Sequence, residues 1–76
     1  MKKFLGLSVE QAQEVLAQSF DKVAYKEERY DYTDGTFDIE RGFYVLDKYS
    51  DYGYYFYVED GKIDDWTSVW SWEIDL

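Results

Sequence analysis

Apolar residues recur at helical spacing near the start of the chain and at alternating spacing after it. Val9, Ala12, Val15, Leu16 and Phe20 lie three or four residues apart, which places them on one face of a helix. The preceding Ser8 and Gln11 have the spacing of a capping box, which closes the N terminus of a helix. The pattern predicts a helix over residues 9–20 that is wide enough to cover one face of a sheet.

The dipeptide Asp34-Gly35 predicts a two-residue hairpin turn, since both central positions of a type I′ turn need positive φ. Folding the chain there pairs residues 22–33 with 36–47 and sets Tyr32 opposite Phe37. Each opposite-charge pair across a hairpin contributes only about a few tenths of a kcal/mol. Four such pairs in one register nevertheless favour this fold: Arg29 with Glu40, Glu28 with Arg41, Lys22 with Asp47, and Asp21 with Lys48.

A second hairpin is predicted at Asp60-Gly61, with Val58 opposite Ile63 and Tyr57 opposite Asp64. Residues 70–76 then alternate apolar and polar side chains, as a half-buried strand does. The sum is a single α+β domain, one N-terminal helix packed on a four-stranded antiparallel meander (αββββ) in two layers. The expected core lies between the helix and one sheet face: Leu16, Phe20, Phe37, Ile39, Phe56 and Val58.

The segment Tyr54-Tyr55-Phe56-Tyr57 carries four aromatic rings in a row. Alternate side chains of a strand point to opposite faces, so rings occupy both faces of the sheet. A straight final strand would put Trp66 beside Tyr55 and Tyr57 on the face away from the helix, whereas a β-bulge near Asp64-Asp65 would transfer the tryptophans to the other face. Aromatic pairing that only stabilises the sheet is the simpler interpretation. The functional one is a partner-binding surface, with five predicted residues: Tyr55, Tyr57, Trp66, Glu59 and Asp64.

The net charge of −9 lies entirely in the second part of the chain. Residues 1–29 carry five basic and five acidic groups, whereas residues 30–76 carry twelve acidic groups against three basic ones. Such a field repels nucleic acid and anionic membranes and attracts basic partners, although acidity also keeps small proteins soluble. Carboxylates two apart on one strand face, such as Asp38 with Glu40 and Glu73 with Asp75, offer a line of negative charge comparable with that of DNA.

The composition disfavours catalysis. The chain has no histidine and no cysteine, so the commonest general base, thiolate metal ligands and disulfides are all excluded. Asp64 and Asp65 are neighbours on a strand and would point to opposite faces, which prevents a carboxylate dyad. We therefore expect no enzyme activity, cofactor or metal. The apolar run Phe4-Leu5-Gly6-Leu7 is too short for a signal peptide or a membrane span, and we expect a cytoplasmic protein.

Two segments, GLSVEQAQEVL (6–16) and FYVEDGKIDDW (56–66), together with the order of helix and meander, resemble the small repeat unit of the β-lactamase-inhibitor-protein and SmpA-like folds. The resemblance implies an antiparallel sheet whose aromatic face grips a partner, and it carries over no individual residue. The absence of cysteine departs from the secreted inhibitors. In size, acidity and aromatic content the chain is also similar to phage-encoded inhibitors of host defence, such as anti-CRISPR and DNA-mimic proteins.

These observations favour a non-enzymatic binding protein, namely a small acidic inhibitor that neutralises a basic partner protein. The candidate partners are nucleic-acid-binding proteins and nucleases. Two alternatives use the same surface. One is a toxin-immunity or antitoxin-like module directed at a basic nuclease. The other is a self-associating structural domain that forms a homodimer through the open sheet face. A dimer held by aromatic rings would persist in high salt, whereas binding steered by charge would weaken.

Overall fold

A computed structural model describes residues 1–74 and confirms the predicted α+β architecture. One helix precedes four strands, and every strand pairs antiparallel with its neighbour in the chain. The elements are α1 (Val9–Ser19), β1 (Lys22–Asp31), β2 (Phe37–Leu46), β3 (Tyr52–Glu59) and β4 (Lys62–Trp70), with short 3₁₀ turns at Lys2–Phe4 and Ser71–Glu73. Within residues 1–74 no helix has the length and apolarity needed to cross a membrane.

The helix begins where the sequence predicts. The Ser8 hydroxyl accepts a hydrogen bond from the Gln11 N–H, and the Gln11 side chain accepts one from the Ser8 N–H, each at 3.2 Å. Two backbone donors at the helix start are thereby satisfied. The helix buries Ala12 and Leu16 completely, and Phe20 already has extended backbone geometry.

The core lies between α1 and one face of the sheet, called here the helix face. Its buried side chains come from all parts of the chain: Phe4, Ala12, Leu16, Phe43, Val45, Phe56 and Ile63. Phe4 packs edge-on against Phe56, with ring centroids 5.4 Å apart. The N-terminal segment reaches this position by pairing with the start of β4, where Gly6 N–H donates to the Ile63 carbonyl and Ile63 N–H donates to the Leu7 carbonyl.

The predicted burial of Phe37 and Ile39 is wrong, whereas that of Leu16 and Phe56 is confirmed. Phe37 is 49% exposed and Ile39 44% exposed, because the first hairpin extends beyond the rest of the sheet. Strand β3 pairs with β2 only from Arg41 to Leu46. The remainder, residues 28–40, forms a two-stranded arm, and the described molecule is accordingly elongated, at 43 × 27 × 17 Å.

The first hairpin also differs by one residue from the predicted register. Asp31 lies opposite Phe37, Glu28 opposite Glu40 and Glu27 opposite Arg41. None of the four predicted charge pairs forms as a directly opposed pair, and Tyr32 does not face Phe37. The connection has three residues, 33–35, in which only Gly35 has positive φ, at 88°.

The second hairpin confirms the predicted turn. Asp60 and Gly61 have φ of 52° and 74°, and Val58 lies opposite Ile63. A bulge then shifts the register between Tyr57 and Val58, so that Tyr57 faces Asp65 and not Asp64. The predicted final strand over residues 70–76 is wrong for its described part, because Ser71–Glu73 is a 3₁₀ turn; Asp75 and Leu76 lie outside the described residues.

Candidate partner-binding face

The sheet face opposite α1, called here the open face, is exposed along most of its length, and the buried Ile74 side chain covers it at Gly53. Strand register assigns its side chains, because residues paired across strands share a face. The open face carries four tyrosines and five carboxylates: Tyr30, Tyr44, Tyr55, Tyr57, Glu28, Asp38, Glu40, Glu59 and Asp65. Lys22 and Lys26 lie at the start of β1 on the same face, and Lys62 lies opposite Glu59. Three of the carboxylates, Glu28, Asp38 and Glu40, belong to the arm.

Tyr55 anchors the open face although no layer covers it. Its ring lies over Gly42, where a Cβ atom would overlap the ring. Tyr44 and Tyr57 flank this ring, with centroid distances of 4.5 Å and 4.7 Å. As a result Tyr55 is only 7% exposed. Tyr44, Tyr55 and Tyr57 form an aromatic row, and the absence of a side chain at Gly42 lets the central ring pack directly on the β2 main chain.

Two carboxylates, Glu28 and Glu40, lie directly opposite each other on the open face. Like charges in that position destabilise a sheet. The Tyr30 hydroxyl donates to Glu28 at 2.7 Å, and its hydrogen bonds with Glu28 and then Glu40 raise the pKa of Tyr30 above its ordinary value. Burial, with the charge of Glu40 and a hydrogen bond to it, likewise raises the pKa of Tyr55. The raised pKa values extend into alkaline solution the pH range over which both hydroxyls stay protonated.

The same pairing of hydroxyl and carboxylate recurs near the tip of the arm. The Tyr32 hydroxyl donates to Asp38 at 2.7 Å, and this hydrogen bond raises the pKa of Tyr32. On the other face of the arm, the Arg29 guanidinium lies 4.1 Å from the centroid of the Phe37 ring and 3.0 Å from an Asp31 carboxylate oxygen. The arm thus carries acidic groups on the open face and a combination of basic, acidic and aromatic side chains on the helix face.

A concave notch forms where the arm diverges from the second hairpin. Its volume is about 650 Å³, within the range of ligand sites. The lining combines aromatic rings, apolar side chains, four carboxylates and one guanidinium: Tyr30, Tyr32, Asp38, Ile39, Glu40, Arg41, Tyr57, Val58, Glu59 and Asp60. The notch opens on both faces of the sheet, because Ile39, Arg41 and Val58 belong to the helix face.

The structure brings three of the five predicted site residues together. Tyr55, Tyr57 and Glu59 lie on the open face, and the last two line the notch. Asp64 is the extra residue at the bulge and lines a separate depression with Leu5 and Gly6.

Of the two alternatives for Trp66, the transfer to the helix face by a bulge near Asp64-Asp65 is confirmed, and its placement among the site residues of the open face is wrong. The bulge sets Trp66 opposite Phe56, on the helix face, where it packs edge-on against Tyr54 at 5.9 Å. A bulge residue reverses the alternation of every position that follows it. Trp70 therefore also lies on the helix face, stacked between Tyr52 and Trp72 at centroid distances of 4.6 Å and 4.8 Å.

Sequence reasoning missed Tyr30, Tyr32 and Tyr44 as members of the surface. Alternation within one strand could have found the first two, since Tyr30 and Tyr32 share a face with Glu28 whatever the register. The predicted same-face pair Asp38 and Glu40 is confirmed, since both carboxylates lie on the open face and line the notch.

Among residues 1–74 no group of three or more acidic side chains is arranged to hold a metal ion. The exposed rings and the carboxylates they contact are suited to noncovalent recognition of a cationic group. No family model matches the chain, and comparisons with curated proteins and with solved structures found no match for it.

Proposed function

We propose that the protein is a non-enzymatic binding protein that neutralises a basic protein partner through the arm end of its open face. The observation that carries the proposal is the opposed pair Glu28 and Glu40, held on an exposed sheet face among tyrosine hydroxyls. A lysine or arginine side chain placed between the two carboxylates would relieve their repulsion and form charge-assisted hydrogen bonds. The molecule is therefore suited to a cationic partner.

The aromatic row supplies contact area beside these charges. Tyr57 is 37% exposed and Tyr30 is 45% exposed, and tyrosine gives large contacts at low conformational cost. Lys26 already shows the type of contact, with its ammonium 5.5 Å from the Tyr44 ring centroid. Rings would slow dissociation, whereas carboxylates would accelerate association and choose the basic partner.

The proposal is tested with immobilised icosalysine, a chain of twenty lysines, as the basic probe. The double variant Asp38→Asn/Glu40→Gln removes two charges from the arm. The matched control Glu10→Gln/Glu14→Gln removes two charges from the exposed side of α1, so both proteins have the same net charge. We expect the arm variant to associate more slowly and with weaker salt dependence than the control.

Equal slowing in both variants would show that only the overall field of the protein matters, and would overturn the proposal. Tyr57→Ala should mainly raise the dissociation rate, with Tyr49→Ala as a control, since Tyr49 is 90% exposed and lies in the loop between β2 and β3. A photo-crosslinking amino acid at position 57, compared with one at position 49, would then identify the natural partner for titration with the same variants.

A further inference from the structure

The outer edge of β2 is free along the arm. Strand β1 pairs with β2 from Phe37 onward, but β3 pairs with β2 only from Arg41 onward. Residues 37–40 therefore have a partner strand on one side and, within the described chain, none on the other. The notch lies along this unpaired side, since it is lined by residues of both β2 and the end of β3.

The turn shows which main-chain groups point into the notch. Tyr32 N–H donates to the Thr36 carbonyl at 2.9 Å, so this carbonyl points toward β1. Successive residues of a strand direct these groups to alternate sides. Phe37 and Ile39 consequently direct their N–H and C=O groups toward the free edge, and their side chains are about half exposed beside it.

We propose that this edge receives an extended segment of the basic partner, which adds a strand antiparallel to β2 in the position that β3 vacates. The inference rests on the proposed function and specifies how the partner binds. Main-chain hydrogen bonds to Phe37 and Ile39 hold the segment, as in other cases of strand addition. An unpaired strand edge is a ready template for such pairing.

Charge and polarity around the notch determine the sequence of the added segment. Residues facing the open face meet Asp38, Glu40 and Glu59, whereas residues facing the helix face meet Phe37 and Ile39. The segment therefore alternates basic and apolar side chains. The outer edge of β1 is a poorer template, because four consecutive charged residues occupy it, Lys26 to Arg29, and charged side chains protect strand edges.

The probe is the peptide acetyl-Lys-Val-Lys-Val-Lys-Val-amide, titrated into ¹⁵N-labelled protein. The valines of the peptide face the helix face and lie opposite Phe37 and Ile39. In an antiparallel sheet, two opposite residues whose main-chain groups point toward each other form a hydrogen-bonded pair and share a face. Each valine therefore donates its N–H to β2, whereas each lysine directs its N–H outward. We expect the largest amide shifts at residues 37–40, and at least about a tenfold weaker affinity when the valines are N-methylated.

The matched control peptide carries the N-methyl groups on its lysines, and its affinity should stay within about twofold of the parent. Equal effects of the two methylated peptides, or no binding by the parent peptide, would overturn the inference. Shifts centred on residues 23–31 would do so as well, since they would place the peptide on β1. The two proposals can be distinguished. If Asp38→Asn/Glu40→Gln slows association with icosalysine, but N-methylation of the peptide valines does not change the peptide affinity, the charged surface is supported and strand addition is rejected.

Discussion

Replacement of Gly42 by alanine directly tests how the open face is held together. The new Cβ would overlap the Cζ and hydroxyl oxygen of Tyr55. The ring cannot turn aside freely, because Tyr44 and Tyr57 flank it at 4.5 Å and 4.7 Å. Gly42→Ala should therefore lift the Tyr55 ring from the sheet and disturb the aromatic row.

The size of the effect follows from the burial of Tyr55, which is only 7% exposed. A buried tyrosine removes about 200 Å² from water. Returning roughly half of that area to solvent, at about 25 cal/mol per Å², costs about 2.5 kcal/mol. Alanine regains about 0.5–1 kcal/mol because glycine loses more backbone entropy in a strand. The net expected destabilisation is about 1.5–2 kcal/mol.

Urea denaturation followed by tryptophan fluorescence and far-ultraviolet circular dichroism would measure this difference. The control is a double-mutant cycle with Tyr55→Ala, in which the methyl group introduced at position 42 meets no ring. In that background Gly42→Ala should be neutral or stabilising, which gives a coupling energy of about 2 kcal/mol. A stabilising effect of Gly42→Ala in the wild-type background would refute the proposed packing of Tyr55 on Gly42.

Three further predictions concern the core, the first turn and the tyrosines. Leu16→Ala should cost about 2–5 kcal/mol in urea denaturation, whereas the control Leu5→Ala, at a residue 40% exposed, should cost clearly less. Gly35→Val should cost about 1 kcal/mol or more, because Gly35 has a φ of 88° that a β-branched residue resists; an unchanged denaturation midpoint would contradict this turn geometry. The pKa values of Tyr30 and Tyr55 are raised, so their contribution to stability is complete below about pH 10 and is lost as the pH rises through their folded pKa values. Alkaline titration of the absorbance should show fewer late-ionising tyrosines in Tyr55→Phe, and an unchanged late fraction would argue against the raised pKa.

The helix, the strand order and the second turn could be predicted from local signals. Ser8 and Gln11 specify the helix start, and Asp60-Gly61 has the geometry that its turn type requires. The position of Phe4 could not be predicted in this way. Its burial depends on main-chain pairing between the N-terminal segment and β4, which joins residues far apart in the sequence and leaves no periodic pattern.

The predicted register of the first hairpin is wrong because it depends on a two-residue turn at Asp34-Gly35 and on exposed charge pairs, whereas buried side chains determine the observed one. The observed register sets Val23 opposite Val45 and Tyr25 opposite Phe43, and both β2 residues are completely buried. Burial of one such side chain contributes about 1.5–3 kcal/mol, more than several exposed ion pairs together. A one-residue slip moves a whole strand to the wrong face, so the buried pairs determine the register.

The register set by the buried pairs also leaves three residues, 33–35, in the connection between β1 and β2. Asp34 accepts hydrogen bonds from the Thr36 N–H at 3.0 Å and the Thr36 hydroxyl at 2.6 Å, and the Thr36 hydrogen bonds lower the pKa of Asp34. The aspartate thus stabilises the turn through its side chain while its own φ stays negative, so only Gly35 supplies positive φ. A dipeptide typical of two-residue turns is equally compatible with this longer turn.

The arm joins these structural findings to the proposed function. A two-stranded ribbon is only marginally stable in water, and this one also opposes Glu28 with Glu40 and leaves Phe37 and Ile39 half exposed. Each of these features is unfavourable in the isolated molecule. A partner strand with alternating basic and apolar residues would neutralise the carboxylates, cover the apolar side chains and pair the free main-chain groups. A single type of partner segment would relieve all three, and for this reason we propose the arm, rather than the tryptophan stack at residues 70 and 72, as the binding element.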